Sequence, residues 1–218
     1  MDTWMKTTEK AGNRLKIWEI ALLLGVAVCL LSGAKALHTQ DELADKVVRL
    51  HVLANSDSEE DQALKLQVRD AVLDRAEDLL AQTSSRAEAE GKLRGQLLEF
   101  ERLAEAVVRE AGYDYEVTAE LTDTEFPTRE YEGFTLPAGE YLALRILIGE
   151  AAGRNWWCVV FPPLCTAATA DVPASAMTAG FTEDEVRLIT EEDRGYVLKF
   201  KAVEFWETLR EKWDEGRG

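Results

Sequence analysis

Two cysteines stand seven residues apart in Asn155-Trp156-Trp157-Cys158-Val159-Val160-Phe161-Pro162-Pro163-Leu164-Cys165, with a Pro-Pro pair between them. A strand does not continue through two prolines, each of which fixes φ and lacks a backbone N–H. Fully extended, the cysteines would lie about 23 Å apart, whereas a disulfide needs Cα atoms within about 7 Å. A bridge therefore requires the chain to reverse at Pro162-Pro163, and closing that loop would contribute on the order of 2.5 kcal/mol. The other reading is a pair of small thiols buried beside the tryptophans. The compartment decides between them, because a bridge persists only where thiols are not kept reduced.

The N-terminus addresses the compartment. Lys6, Lys10, Arg14 and Lys16 precede an unbroken apolar or glycine run from Ile20 to Leu31, and Ala34-Lys35-Ala36 follows it. Basic, apolar and small-residue regions in that order read as an export signal over residues 1–36. The twelve-residue run rises only about 18 Å as a helix, short of the roughly 30 Å hydrocarbon core. A cleaved signal is therefore favoured, with an uncleaved membrane anchor as the alternative.

Charge narrows the partners. The whole chain carries −16, and residues 1–36 hold five Lys/Arg against three acids, which leaves −18 on the other 182 residues. Such a surface repels phosphate backbones and anionic headgroups. Nucleic acid is not an expected partner, and membrane contact is expected only through the N-terminal segment.

After a short lead-in over residues 37–46, residues 47–214 read as one α+β domain, with a tail at 215–218. Val47 to Ala54 alternates, placing Val48, Leu50, Val52 and Ala54 on an apolar face and Val47, Arg49, His51 and Leu53 on a mixed one. That pattern predicts a strand whose second face is only partly covered. Ser58 with Asp61 three residues on resembles a capping box and opens a helix to about Ala81. A second helix is expected to about Ala111, weakened by Gly91 and Gly95 and ended by Gly112. Tyr113 to Leu121 alternates as a strand with one wet face. Tyr141–Ile148 and Trp156–Phe161 read as strands joined in a hairpin by Gly149–Gly153. Residues 166–180 are small and polar and read as a loop, whereas Thr182 with Glu185 caps a short helix. Tyr196–Phe200 reads as a strand. A final helix to about Trp213 aligns Ala202, Phe205, Trp206, Leu209 and Trp213, a stripe that suits packing onto the sheet better than membrane binding. The sum is a single domain with a mostly antiparallel sheet, two long N-terminal helices and a C-terminal helix.

No phosphate-binding glycine loop, zinc-binding His-Glu-x-x-His or nucleophile elbow is present. No catalytic, cofactor or metal site is expected. His51 sits on the mixed face of a strand, where a packed, hydrogen-bonded ring is the more usual occupant. A hydrolase acting on cell-wall material, using Asp57, Glu140 and His51, is the alternative function.

Longer motifs carry more. Leu53-Ala54-Asn55-Ser56-Asp57-Ser58, then Asp61-Gln62, Leu64-Lys65 and Arg69-Asp70-Ala71-Val72, resemble the stage II sporulation protein R family. Phe126-Pro127-Thr128, Pro137-Ala138-Gly139-Glu140-Tyr141 and the Asn155–Cys165 segment extend the resemblance. It implies a protein exported into the space between forespore and mother-cell membranes. There it would trigger a membrane-embedded aspartic protease that cleaves pro-sigma-E. The stretches that carry the resemblance suggest a contact surface made of Asn55, Ser56 and Asp57, Phe126 and Arg129, Glu140 and Tyr141, and Trp156 or Trp157. Alternation turns one tryptophan inward and the other outward. Fold maintenance by the same residues is the competing explanation.

Overall fold

A computed structural model describes residues 19–27, 41–164 and 172–190. Its contacts divide the chain into residues 1–39 and 40–218. In the first unit, residues 19–27 are helical and expose Ile20, Leu22, Leu23, Leu24 and Val26. No described helix is long and apolar enough to cross a membrane.

The second unit is α+β. Strand β1 (Val48–Leu53) leads through a tight corner into α1 (Glu59–Leu80), followed by α2 (Arg86–Gly95) and α3 (Leu97–Glu110). Strands β2 (Val117–Phe126), β3 (Arg129–Tyr131), β4 (Phe134–Leu136), β5 (Gly139–Ile148) and β6 (Asn155–Phe161) come next. Helices α4 (Val172–Thr178) and α5 (Glu183–Thr190) complete the described elements.

Helix α1 begins where Ser58 Oγ accepts the Asp61 N–H at 3.1 Å, and three acids occupy its positive first turn. Leu64, Val68, Val72, Ala76 and Leu80 then recur every four residues as one buried stripe. The expected capping box is only half made, because the Asp61 carboxylate turns to Asn55 and Ser56 instead. The second helix is in fact two, broken at Gln96 (φ −119°) one residue after Gly95. A tight turn ends α3: Tyr113 N–H reaches Val108 O at 3.1 Å and Gly112 N–H reaches Arg109 O at 3.0 Å, with Gly112 at φ 86°. Glycine is the residue that adopts this conformation without strain.

That turn delays the next strand. Tyr113 and Tyr115 lie outside it, stacked with ring centroids 5.3 Å apart, and the Tyr115 hydroxyl bonds Asp61. The strand starts at Val117 and runs through Phe126.

The main sheet has the order β2-β5-β1-β6. Strand β5 pairs antiparallel with β2 but parallel with β1, and β6 pairs antiparallel with β1. The expected β5–β6 hairpin is therefore wrong, since β1 lies between the two. Residues 149–154 cross the end of β1, where Ala152 N–H bonds Asn55 O at 3.2 Å and Gly153 N–H bonds Ala54 O at 2.9 Å.

Strand β1 is central and covered on both faces. On one face Val48, Leu50 and Val52 join α1 and α3 in the larger core. On the other, the expected half-wet face is buried too, with Arg49 at 0% and His51 at 5% exposure. A second core covers it, built from Leu43, Val47, Phe126, Leu136, Tyr141 and Phe181 with their neighbours. The stretch expected to be a loop contributes to this layer: Val172–Thr178 is helical because Val172 and Ala176, one turn apart, are both buried. Helix α5 has the full capping box, Glu185 N–H to Thr182 Oγ1 at 3.3 Å and Thr182 N–H to Glu185 Oε2 at 2.7 Å. The strand expected at Tyr196–Phe200 and the final helix lie outside the described residues.

Candidate functional site

Two clusters occupy opposite ends of β1. At its C-terminal end, Asn55 Nδ2 donates to Asp61 Oδ2 at 2.9 Å while Asn55 Oδ1 accepts the Glu150 N–H at 3.0 Å. Ser56 Oγ donates to the same Asp61 oxygen at 2.6 Å, and Gln62 Nε2 donates to Ser56 O at 2.9 Å. Asp57 Oδ1 accepts the Arg154 N–H at 2.7 Å. Buried Lys65 reaches over to Arg154 O at 3.0 Å and Gln62 Oε1 at 2.7 Å. Burial alone would raise the Asp61 pKa, but the hydrogen bonds from Ser56, Asn55, Tyr115 and Ser58 outweigh it and hold the carboxylate below its ordinary value.

The loop and the corner touch closely enough to exclude side chains. A Cβ on Gly153 would sit 2.1 Å from Ser56 O, and one on Gly149 (φ +57°) would sit 2.3 Å from Asn55 Oδ1. Asn55, Ser56 and Asp57 thus clamp the strand-to-helix corner onto the 149–154 crossover.

At the other end, aromatic rings enclose a buried cation. The Arg49 guanidinium lies 4.0 Å from the Phe126 ring centroid and 4.8 Å from that of Tyr141, and its Nη2 donates to Tyr131 Oη at 2.7 Å. Its Nε and Nη1 have no hydrogen-bond partner. Burial lowers the Arg49 pKa, and among the described residues only the Tyr131 and Tyr141 hydroxyls work against it. Phe126 also meets Trp157 edge-on at 4.7 Å and His51 at 6.0 Å. Tyr141 is fully buried and donates its hydroxyl to Pro137 O at 2.8 Å.

Trp157 links the two ends. It stacks on His51 at 4.0 Å with 15° between the planes, and Arg129 lies 5.7 Å from its ring centroid. His51 Nε2 donates to Asn155 Oδ1 at 2.7 Å, which leaves Nδ1 buried and unpartnered. Burial lowers the His51 pKa to about 4, with further lowering from the charges of Arg145 and Arg49. Trp156 points to the opposite face, under Arg69 at 4.6 Å. Both tryptophans are half-buried, so neither stands out as a free anchor.

The sequence-derived residues therefore do not form one patch. Asn55, Ser56 and Asp57 gather at one end of β1, while Phe126, Arg129, Glu140 and Tyr141 gather at the other, roughly 20 Å away along a six-residue strand. Phe126 and Tyr141 are core residues, and Glu140 is exposed opposite Glu125 on β2. Asp57, Glu140 and His51 are likewise not brought together. Arg145 and Glu120 are absent from the sequence-derived residues, although the register that pairs them singles them out, and Arg49 enters the sequence reading only as part of a mixed strand face. Cys158 is buried at the middle of β6, and Cys165 lies outside the described residues. No group of three metal-binding side chains occurs among the described residues.

Comparison with known proteins matches residues 44–171 to the family model of stage II sporulation protein R. A curated relative, the stage II sporulation protein R of Bacillus subtilis (strain 168), is 36% identical over 152 residues, which is 68% of each chain. No solved structure matches. The matched stretch spans both β1 clusters, the whole four-stranded sheet and its three covering helices, and on that basis the chain belongs to the stage II sporulation protein R family.

Proposed function

We propose that this chain is an exported signal of sporulation that activates a membrane-embedded aspartic protease, which then removes the pro-sequence of sigma-E in the mother cell. Family membership across residues 44–171 carries the reading. The basic N-terminus followed by an exposed apolar helix at 19–27 supports export to the space between the forespore and mother-cell membranes, cleaved or anchored. The chain acts by binding, not by chemistry of its own. As a ligand it activates by holding the protease's active state more tightly than its resting state. The separation of Asp57, Glu140 and His51 supports this over a hydrolase.

Export also carries a Cys158–Cys165 bridge, which the bonded state of buried Cys158 supports. Mass spectrometry of unreduced peptides from the exported protein should find Cys158 and Cys165 joined; two alkylated thiols would overturn the pairing.

Co-expression of the chain, the protease and a tagged sigma-E precursor in a host lacking all three tests the function. The shortened sigma-E should appear only when all three are present. An intact precursor in that strain, with the chain exported and folded, would sink the proposal.

A further inference from the structure

The main sheet ends in β2 and β6, and the outer edge of β2 is partly open. Gly149 N–H donates to Glu116 O at 2.9 Å, so the even-numbered residues that follow Glu116 turn their backbone groups toward β5. The odd-numbered ones turn theirs outward. Ala119 N–H accordingly leaves the sheet and donates to Glu101 Oε2 of α3 at 3.2 Å. Beyond that contact the edge is bare. Among the described residues no strand pairs with it, and the outward N–H and C=O groups of Leu121 and Asp123 have no hydrogen-bond partner.

A bare edge invites another strand, and proteins usually blunt one with Lys, Pro, a bulge or a cover. Over its ten residues β2 has no Lys, Arg or Pro, and its register with β5 runs without a bulge. It has three acids instead, Glu120, Asp123 and Glu125. Glu120 is engaged by Arg145 on the His51 face of the sheet. Asp123 is exposed on the opposite face, which it shares with exposed Glu140 of β5. Neither Asp123 nor Glu140 makes an ion pair among the described residues.

We propose that the Leu121–Asp123 edge of β2 is a strand-addition site for a basic, extended segment of the partner protein. Leu121 and Asp123 together offer two N–H donors and two C=O acceptors, the set that an added strand bonds. Residues opposite each other in neighbouring strands share a face, so a Lys or Arg set against Asp123 meets its carboxylate. The next residue of the segment falls beside half-buried Thr122 or Thr124, where a β-branched side chain packs. A second copy of the chain fits badly. Pairing β2 with β2 would bring two sets of three acids together, with no Lys or Arg on either strand, between chains that each carry −16. The assignment rests on the reading that the chain acts by binding a protein.

Fluorescence anisotropy and amide hydrogen exchange on the full-length chain in neutral detergent micelles test it. The probes are a short labelled peptide alternating Lys and Thr, its Glu-for-Lys counterpart, and the Lys peptide N-methylated on its Lys backbone nitrogens. The Lys peptide should bind about tenfold more tightly than the Glu peptide, with the gap narrowing in high salt. N-methylation keeps the charge but removes the donors of a strand, and should weaken binding by about tenfold. Asp123→Asn, an exposed change that should leave the melting temperature within a few degrees of wild type, should weaken binding by about threefold. The Leu121 and Asp123 amides should exchange more slowly when the Lys peptide is bound. Undiminished binding of the methylated peptide, or unchanged exchange at both amides, would rule out strand addition and overturn the proposal. Equal binding of the Lys and Glu peptides, or no response to Asp123→Asn, would overturn it by removing the carboxylate's role. A dimer that the Lys peptide dissociates in sedimentation would overturn it in favour of a second copy. Binding is read without the protease or sigma-E, so this result and that of the processing assay can fail separately.

Discussion

Between pH 6.5 and pH 5 the protein should lose stability through one residue, His51. Its folded pKa is lowered from 6.5 to about 4, chiefly because burial penalises the imidazolium. As pH falls, the unfolded chain takes up the proton first. Stability is therefore fully present above about pH 6.5 and drains away toward pH 4, by about 3 kcal/mol over the whole window. The geometry explains the direction. Nε2 already donates to Asn155, so the added proton must sit on buried Nδ1, where no acceptor waits, between the charges of Arg49 and Arg145. Urea denaturation at half-unit intervals should show the midpoint rising with pH across this range. In His51→Leu the slope above pH 5 should vanish, because the carboxylates with lowered pKa values, such as Asp61 and Glu185, release their contributions only at lower pH. An unchanged slope in that variant would show that another group titrates there.

Phe126→Ala should be the most damaging single truncation in the second core, costing about 3–5 kcal/mol and roughly 10 °C in melting temperature. Phe126 touches Arg49, His51, Tyr141 and Trp157 at once. Removing its ring leaves a cavity and also uncovers one face of a guanidinium that has a single hydrogen bond. Water entering that space would solvate Arg49 and recover part of the loss. Phe126→Leu, which keeps most of the volume but not the π face, should fall between wild type and Ala. Thermal unfolding of the three proteins measures the order, and equal melting temperatures for wild type and Leu would mean that the ring's interaction with Arg49 contributes nothing. Both effects arise from the sheet face that the sequence presents as half-wet.

That discrepancy shows what a sequence carries and where it stops. Elements whose cause is local were legible: Ser58 and Thr182 as caps, Gly112 as the end of a helix, and the alternation of Val48, Leu50 and Val52. Partners distant in sequence were not. The apparent hairpin of β5 and β6 satisfied every local rule for spacing, yet β1, about ninety residues earlier, fills the place between them. His51 reads as a packed, hydrogen-bonded ring and is one. The face it shares with Arg49 reads as only partly covered, because nothing nearby in sequence tells that Phe126, Tyr141 and Trp157 will close over it. The candidate contact residues were chosen as stretches of sequence, and stretches do not report which way a side chain turns. Two of the three residues Asn55, Ser56 and Asp57 are spent on backbone N–H groups of a crossover loop, a role that depends on Gly149 and Gly153 lying against the corner.

The centre of the sheet is also its first strand in order of synthesis. When β1 is complete, neither neighbour exists; β5 ends at Ile148 and β6 at Phe161, with three helices made in between. Helices α1 to α3 can form as they appear, but the strand they must cover stays unpaired on both edges until the chain is nearly three-quarters made. Pairings of such long range are slow to close and expose sticky strand edges while they wait. A chain threaded N-terminus first through a membrane would meet this delay on the far side, where β1 emerges alone. Its first half would then be kept from partners by its own charge. That charge is supplied by α1, with seven acids against three Lys/Arg, and α3, with four against two, but not by α2, where three Lys/Arg face two acids.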